Sequence, residues 1–218
     1  MKKLVLGIVE FRRNIRAGYR AKFSSLASGQ SPDTLFIACS DSRVVPNTFA
    51  STDPGDLFVV RNVGNLIPSC GLSGHSTADE SEAAAIEFAV MTLNVSHIII
   101  CGHSDCGAMH ALVRGRDQVP APNLRSWLRH GDPSLARLAG MTPDTDRANQ
   151  LSKVNVRQQI DHLMTYPIVR ERVADGRLAL HGWWFELSKA NVFAYEEAVQ
   201  DFVLIDEEEA ARIIERLA

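Results

Sequence analysis

The chain has 218 residues, of which 45% are apolar, with 23 basic and 26 acidic residues and a formal net charge of −3. This length and apolar content suffice for one sizeable core, so we expect a single domain over residues 1–218, with an N-terminal helical arm at about residues 1–29. Because charges of both signs are spread along the whole chain, no sustained basic surface is expected, and nucleic acid is excluded as an expected partner.

The beginning of the chain matches a secretion signal only in part. Two lysines and an apolar stretch are interrupted by Glu10, Arg12 and Arg13, and no small-residue cleavage site follows. The sequence lacks the run of about 18 apolar residues that a membrane-spanning helix requires. We therefore expect a soluble, cytoplasmic protein with no membrane contact. The four cysteines are too few for a disulfide framework, which indicates reduced thiols that could serve a metal.

The first half of the chain alternates helical and strand patterns. Apolar residues at three- and four-residue intervals predict a helix from near the start to about Ser28. Short apolar runs bounded by turn residues predict buried strands at 35–39 and 57–61. Residues 77–93 again have helical spacing, and they lead into a third apolar run at 97–102. The acidic residues expected in the first turn of that second helix are Asp79, Glu80 and Glu82.

A further helix, predicted at 105–113, follows the third strand directly. The resulting alternation of strands and helices implies a largely parallel sheet covered on both faces, and thus an α/β fold. Residues 151–166 have a clear helical period. Aromatic and branched residues at 178–187 and 191–199 predict a hairpin or an edge strand pair. A last helix is predicted from about Asp206.

Two polar motifs lie where predicted strands end: CSDSR at residues 39–43 and HSDCG at residues 103–107. The carboxyl ends of strands in an open α/β sheet meet at one rim, so we expect both motifs to contribute to one site. Thiolate and imidazole are preferred ligands of Zn²⁺, and Cys39, His103 and Cys106 could hold one ion. Cys106 would lie in the first turn of a helix, where the backbone N–H groups favour a thiolate.

The role of this zinc site depends on Asp41. If Asp41 binds the ion, four ligands close the site and the zinc is structural; if Asp41 pairs with Arg43, a water can occupy the fourth position. A carboxylate held by a guanidinium stays ionised and can accept a hydrogen bond from zinc hydroxide, which orients its lone pair towards a substrate. The residues alone leave both alternatives open.

The two motifs, together with the stretch PGDLFVVRNVGN at residues 54–65, resemble the β-class carbonic anhydrases. The resemblance runs from about Gln30 to Gly107 and extends to the N-terminal helix and to HGWWFEL at residues 181–187. It implies a central four-stranded parallel β-sheet with an added antiparallel edge strand, flanked by helices, and assembly as a homodimer or homotetramer. It also implies reversible hydration of carbon dioxide to bicarbonate and a proton.

The same resemblance assigns roles to individual residues. One Zn²⁺ per subunit would be held by Cys39, His103 and Cys106, and the Asp41–Arg43 pair would orient the zinc-bound hydroxide. Asp41 would be a fourth ligand only in a closed state. The substrate pocket would carry over to Gln30, Phe58, Val63, Phe88 and the backbone of Gly107.

The family has two designs of the metal site, one open to substrate and one regulated by bicarbonate, and the resemblance favours the open design. Gln30 stands where the open design has a substrate-binding glutamine. The bicarbonate-regulated design uses a tryptophan, an arginine and a tyrosine. Phe36 and Phe185 replace the two aromatic residues here, and only the arginine, Arg61, is present.

Other reactive residues have plainer explanations. We expect Cys70 and Cys101 to be bystanders, because free cysteine is common in protein cores. Asp105 is expected to complement a helix dipole, while His75 or His110 could relay protons. The N-terminal helix is expected to pack on the core or on a partner subunit. Two other functions stay open: hydrolysis of carbonyl sulfide or carbon disulfide at the same zinc, and a non-catalytic zinc protein.

Overall fold

The computed structural model describes residues 1–78 and 80–217, so that Asp79, expected in the first turn of a helix, lies outside the described residues. Within these ranges, six strands form one mixed sheet in the order β2-β1-β3-β4-β5-β6. The strands are β1 (Thr34–Cys39), β2 (Leu57–Asn62), β3 (His97–His103), β4 (Ala179–Glu186), β5 (Asn191–Glu196) and β6 (Asp201–Leu204).

The parallel part of the sheet is the one predicted. Strand β1 pairs in parallel with β2 and β3, and β3 pairs in parallel with β4. The expected antiparallel edge strand is β5, which is joined to β4 by a turn at residues 187–190. The prediction of one such strand was incomplete, because β6 adds a second antiparallel strand beyond it. The strand predicted at 191–199 ends at Glu196, since residues 197–200 form the turn into β6.

Helices cover the sheet. They are α1 (Lys2–Glu10), α2 (Arg16–Leu26), α3 (Pro46–Phe49), α4 (Glu80–Glu87), α5 (Gly107–Arg114), α6 (Pro122–Leu128), α7 (Asp132–Ala139), α8 (Arg147–Leu163), α9 (Pro167–Ala174) and α10 (Glu207–Leu217). A π-helical turn at Phe11–Ile15 joins α1 to α2. The predicted N-terminal helix is therefore continuous over residues 2–26, which are called the N-terminal rod below. A second π-helical segment, Phe88–Leu93, continues α4 until Asn94 takes a left-handed conformation.

One predicted helix begins later than its sequence indicated. The expected start was Asp105, but Asp105 has a φ of 53° and Cys106 is extended, so the first helical residue of α5 is Gly107. Cys106 is therefore the N-cap residue rather than a member of the first turn. Both residues are thus held in the connection between β3 and α5.

The core fills both faces of the parallel strands. All six residues of β1 are buried, as expected for a central strand covered on two sides. On one face Leu35 and Ile37 belong to a cluster with residues of α4, α8 and α9, and on the other Phe36 packs with Phe185. Each such side chain contributes about 1.5–3 kcal/mol when fully buried. This packing fixes the ends of β1 and β3 side by side, with Ala38 opposite Cys101.

The N-terminal rod lies away from this core. Every residue of α1 is exposed, including Leu4 at 65% and Ile8 at 67%. Contacts with the rest of the chain are made near the end of α2, where Lys22 pairs with Asp53 and Leu26 packs beside Gly55. The N-terminal helix was expected to pack either on the core or on a partner subunit. The core of its own chain does not cover the apolar face of α1. Across the described residues, no helix has both the length and the apolar character needed to cross a membrane.

Candidate metal centre

Three of the predicted site residues form one cluster at the carboxyl ends of β1 and β3. Ligand atoms of Cys39, His103 and Cys106 all lie within 4.8 Å of one another, and all three residues are buried. The two sulfur atoms are 4.0 Å apart. Two Zn–S bonds of about 2.3 Å at a tetrahedral angle would place them about 3.8 Å apart. The cluster therefore has the donor set and the spacing of a thiolate–imidazole zinc site.

The orientation of His103 fits the same interpretation. Its Nδ1 lies 2.8 Å from the carbonyl oxygen of Ser104, to which an Nδ1–H donates. The proton on Nδ1 leaves Nε2 as a bare acceptor, and Nε2 is buried without a hydrogen-bond partner. A buried polar atom without a partner costs about 1–3 kcal/mol, and metal ligation by Nε2 would remove that cost.

The thiols of Cys39 and Cys106 interact with each other, with their sulfur atoms 4.0 Å apart. Hydrogen bonding with Cys106 lowers the pKa of the Cys39 thiol, and the backbone N–H of Gly64 lowers it further. That N–H lies 3.4 Å from Cys39 Sγ. The hydrogen bond to Cys39, followed by burial, raises the pKa of the partner thiol, Cys106. The surroundings thus favour the thiolate form of Cys39.

Asp41 is held by Arg43. The carboxylate of Asp41 accepts hydrogen bonds from Nε, Nη2 and the backbone N–H of Arg43 at 2.9, 2.8 and 3.0 Å. These bonds hold the pKa of Asp41 well below its usual range. Asp41 does not belong to the ligand cluster found among the described residues. This geometry matches the alternative in which three residues hold the ion and a fourth position stays open.

Two residues that the sequence analysis left out of the site support this pair. Arg61 donates from Nε to the carbonyl oxygen of Cys39 at 3.0 Å and from Nη2 to that of Asp41 at 2.6 Å, which fixes the turn after β1. Asp105 accepts from Arg43 at 2.9 Å, and its other carboxylate oxygen lies 2.9 Å from Nε2 of His110. Asp105 was expected in the first turn of a helix, but it precedes the N-cap residue of α5, and its carboxylate binds Arg43 and His110 instead.

The predicted substrate residues are only partly brought together within one chain. Val63 is 42% exposed and lines a cavity of about 500 Å³ with Trp127 and with Ser40, the residue that follows Cys39 in the chain. Gly107 is the first residue of α5, directly after Cys106.

Phe58 and Phe88 lie at the other end of the sheet. They pack against each other, with ring centroids 5.7 Å apart. Phe58 stands beside Leu35, four residues before Cys39, which is about 13 Å along the strand. Gln30 is exposed and precedes the amino end of β1. These three residues therefore do not contact the ligand cluster of their own chain.

The remaining cysteines behave as expected from their surroundings. Burial raises the pKa of the Cys101 thiol, which is fully enclosed in β3. Cys70 is partly exposed and lies in the segment after β2. In the part of the chain that the structure describes, neither belongs to the metal cluster.

Sequence reasoning missed a set of buried polar residues on α8. Ser152, Asn155 and Gln159 are each at most 2% exposed and hydrogen-bond to the loop after β2 or to the end of β3. The available signal was their spacing of three and four residues on one face of the predicted helix at 151–166, among apolar positions.

Fold and site together define a class: an α/β protein with a buried cluster of two cysteines and one histidine, able to hold a metal ion, at the carboxyl ends of its parallel strands. A sequence profile described as "Carbonic anhydrase" matches residues 34–192. The carbonic anhydrase of Synechococcus elongatus is 40% identical over 212 residues, which are 95% of this chain and 76% of that protein.

Solved structures agree with this match. The β-carbonic anhydrase CcaA superposes with a TM-score of 0.87 at 37% identity, over 94% of this chain and 98% of that one. A tetrameric β-carbonic anhydrase of Sordaria macrospora has a TM-score of 0.74 at 32% identity, over 89% of this chain and 97% of that one. The chain belongs to the β class of the carbonic anhydrases and is accordingly an enzyme, a lyase.

Proposed function

We propose that this chain catalyses the reversible hydration of carbon dioxide to bicarbonate and a proton, with one Zn²⁺ per subunit held by Cys39, His103 and Cys106. The observation that carries the proposal is the arrangement of those three buried ligands with Asp41 turned to Arg43 and away from them. A fourth ligand from the chain would close the site, whereas this arrangement leaves one position for a reactant.

The donor set suits zinc. Two thiols and one imidazole are typical zinc ligands, and the distance between the sulfurs fits a tetrahedral ion. When bound, Zn²⁺ supplies a nucleophile near neutral pH by lowering the pKa of coordinated water, an effect for which carbonic anhydrases with three histidine ligands are the known example.

The residues around the ligands orient the reaction. Asp41 stays ionised because Arg43 binds both of its oxygens, so it can accept a hydrogen bond from the attacking oxygen and hold it in one direction. Val63 and the cavity beside it offer an apolar wall for a small apolar substrate. Gly107 presents a backbone N–H without a side chain next to Cys106.

A homodimer or a homotetramer completes the proposal. The apolar face of α1 is exposed in the single chain, and Phe58 and Phe88 lie about 13 Å along the sheet from their own ligand cluster. A second copy that covers α1 would remove that apolar surface from water and could bring the aromatic pair to the neighbouring site. Replacing Ile8 with Glu should therefore lower the mass measured by light scattering, whereas Leu72→Glu, at a fully exposed position, should not. Equal masses for both variants would contradict this role of α1.

Stopped-flow hydration of CO₂ by the zinc-loaded protein over about pH 6.5 to 9 tests the activity. Cys106→Ser should abolish both zinc binding and turnover, and Cys70→Ser serves as a matched control that should retain both. Activity that begins only at high pH would indicate that Asp41 binds the ion at lower pH. Full zinc occupancy without hydration at any pH would overturn the proposal, and assays with carbonyl sulfide and carbon disulfide would then test the other substrates. The cytoplasmic location stays a prediction.

A further inference from the structure

A line of buried polar residues runs along α8 and into the turn after it. Its members share a spacing of three or four residues and face the end of β3 and the loop after β2. They are Ser152, Asn155, Gln159, His162 and Tyr166. Their partners are the carbonyl oxygens of His103, Gly64, Ile67 and Pro68 and the backbone N–H of Ile67, at 2.7–3.1 Å.

The loop after β2 explains why such residues are needed. Residues 64–68 are buried, yet they form no regular helix or strand, so their backbone groups have no ladder to pair with. An unpaired buried N–H or C=O costs about 1–3 kcal/mol, which the side chains of α8 avoid. The need to pair these backbone groups would by itself explain why α8 carries buried polar residues.

Asn155 differs from the others because its partner touches a metal ligand. Its Nδ2 donates to the carbonyl oxygen of Gly64 at 3.1 Å, and the N–H of the same Gly64 lies 3.4 Å from Cys39 Sγ. Gly64 has a φ of 84°, and a Cβ there would lie 2.9 Å from the Cβ of Ala108 in α5. Gly64 is therefore confined between α5 and α8.

The direction of the Asn155 amide is fixed by its other contacts. Its Oδ1 accepts from the hydroxyl of Ser134 at 2.9 Å and from Nε2 of Gln159 at 2.9 Å. With two donors on Oδ1, the NH₂ group must face Gly64. Asn155 is fully buried, so water cannot take over this role.

We infer that Asn155 is a positioning residue of the metal centre, which acts through Gly64 to hold a backbone N–H on the Cys39 thiolate. The inference rests on the proposed function only in taking Zn²⁺ as the bound ion. An N–H bond to a thiolate withdraws negative charge from sulfur and fixes its direction. Groups that hydrogen-bond a metal ligand directly, as the N–H of Gly64 does, typically change metal affinity or activity about 10- to 100-fold when they are lost. Asn155 lies one step behind that group, so its loss should have an effect at the lower end of this range.

The test compares Asn155→Ala with Tyr166→Phe, which removes a buried hydroxyl from the same line; that hydroxyl donates to the carbonyl oxygen of Pro68 and contacts neither Asn155 nor Gly64. Two readouts need no CO₂: the rate at which bound Zn²⁺ passes to a chromogenic chelator, and the thiolate-to-metal charge-transfer band of the Co²⁺-loaded protein. We expect Asn155→Ala to release zinc about 10-fold faster and to shift the band. Tyr166→Phe should lose stability while staying close to wild type in both readouts.

Equal release rates and equal spectra for the two variants would overturn the inference and leave Asn155 with a structural role alone. If Asn155→Ala does not fold, Ser134→Ala replaces it, because this change removes one of the two donors that fix the amide. Faster release than wild type would then support the inference, and an unchanged rate would contradict it. Wild-type protein that binds metal normally but does not hydrate CO₂ would overturn the proposed function while leaving these readouts interpretable.

Discussion

The guanidinium of Arg43 binds Asp105 twice, through a carboxylate oxygen at 2.9 Å and through the backbone carbonyl oxygen at 3.0 Å. Asp105 can present both groups because it has a left-handed φ of 53°, and its own N–H donates to Asn149 at 2.7 Å. The contact joins the turn after β1 to the turn after β3. It places a second carboxylate on the arginine that holds Asp41.

Asp105→Asn should weaken this arrangement without removing it. The change replaces a charge-assisted hydrogen bond with a neutral one, a difference of about 1 kcal/mol, so we expect kcat to fall about 3- to 10-fold while zinc content stays at one per chain. Stopped-flow hydration and metal analysis measure the two quantities. Asp117→Asn, at a side chain that is 91% exposed, is the matched control. A variant as active as wild type would show that Asp41 alone is enough to hold Arg43.

Asp41→Asn should have a larger effect. Zinc should remain bound because the three ligands are unchanged, but the carboxylate that accepts the hydrogen bond is lost, and we expect kcat to fall about 100-fold or more. The pKa of Asp41 is held well below its usual range, so its protonation adds no pH dependence between about pH 6.5 and 9. Full activity in the variant would contradict the orienting role of Asp41.

Gly64→Ala should destabilise the fold by contact as well as by backbone strain. A φ of 84° is strained for alanine, and the added methyl group would lie 2.9 Å from Ala108. Gly74 offers a control with a φ of 82°, where an added methyl group would meet no atom within 4 Å. We expect both variants to lose about 1–2 kcal/mol of unfolding free energy to strain, and Gly64→Ala to lose about 1–3 kcal/mol more. Urea denaturation would measure the difference, and equal losses would show that the loop relaxes.

Because of His130, the free energy of unfolding should decrease as the pH is lowered. Burial lowers its pKa to about 4, while in the unfolded chain it stays near 6.5, so the unfolded state binds the extra proton first as pH falls. The contribution of neutral His130 is complete above about pH 6.5 and is lost by about pH 4, for a total of at most about 3 kcal/mol. His130→Asn should reduce this slope in urea denaturation at pH 5 and 7. His75→Asn, at an exposed site, should not change it.

A strand or helix could be predicted from the sequence when its apolar pattern was long and unbroken. Strand β1 is buried on both faces, so its apolar run was unbroken and could be recognised. Strand β6 has only four residues, with exposed ends, and was not recognised; the strand predicted at 191–199 ran past β5 into the turn that precedes β6. The start of α5 was misplaced because the conformation of Asp105 depends on Arg43 and Asn149, which lie far away in the chain.

The sequence by itself predicted the cluster of Cys39, His103 and Cys106, the parallel strands that carry it and the family. Each of these is encoded in a contiguous motif whose residue types have few other uses, and the carboxyl ends of neighbouring parallel strands must meet. Only the tertiary structure decided that Asp41 turns to Arg43, that Asp105 shares this arginine and that Asn155 reaches the loop beside Cys39. The last two contacts join residues 62 and 91 positions apart, and their geometry arises when strands and helices pack together.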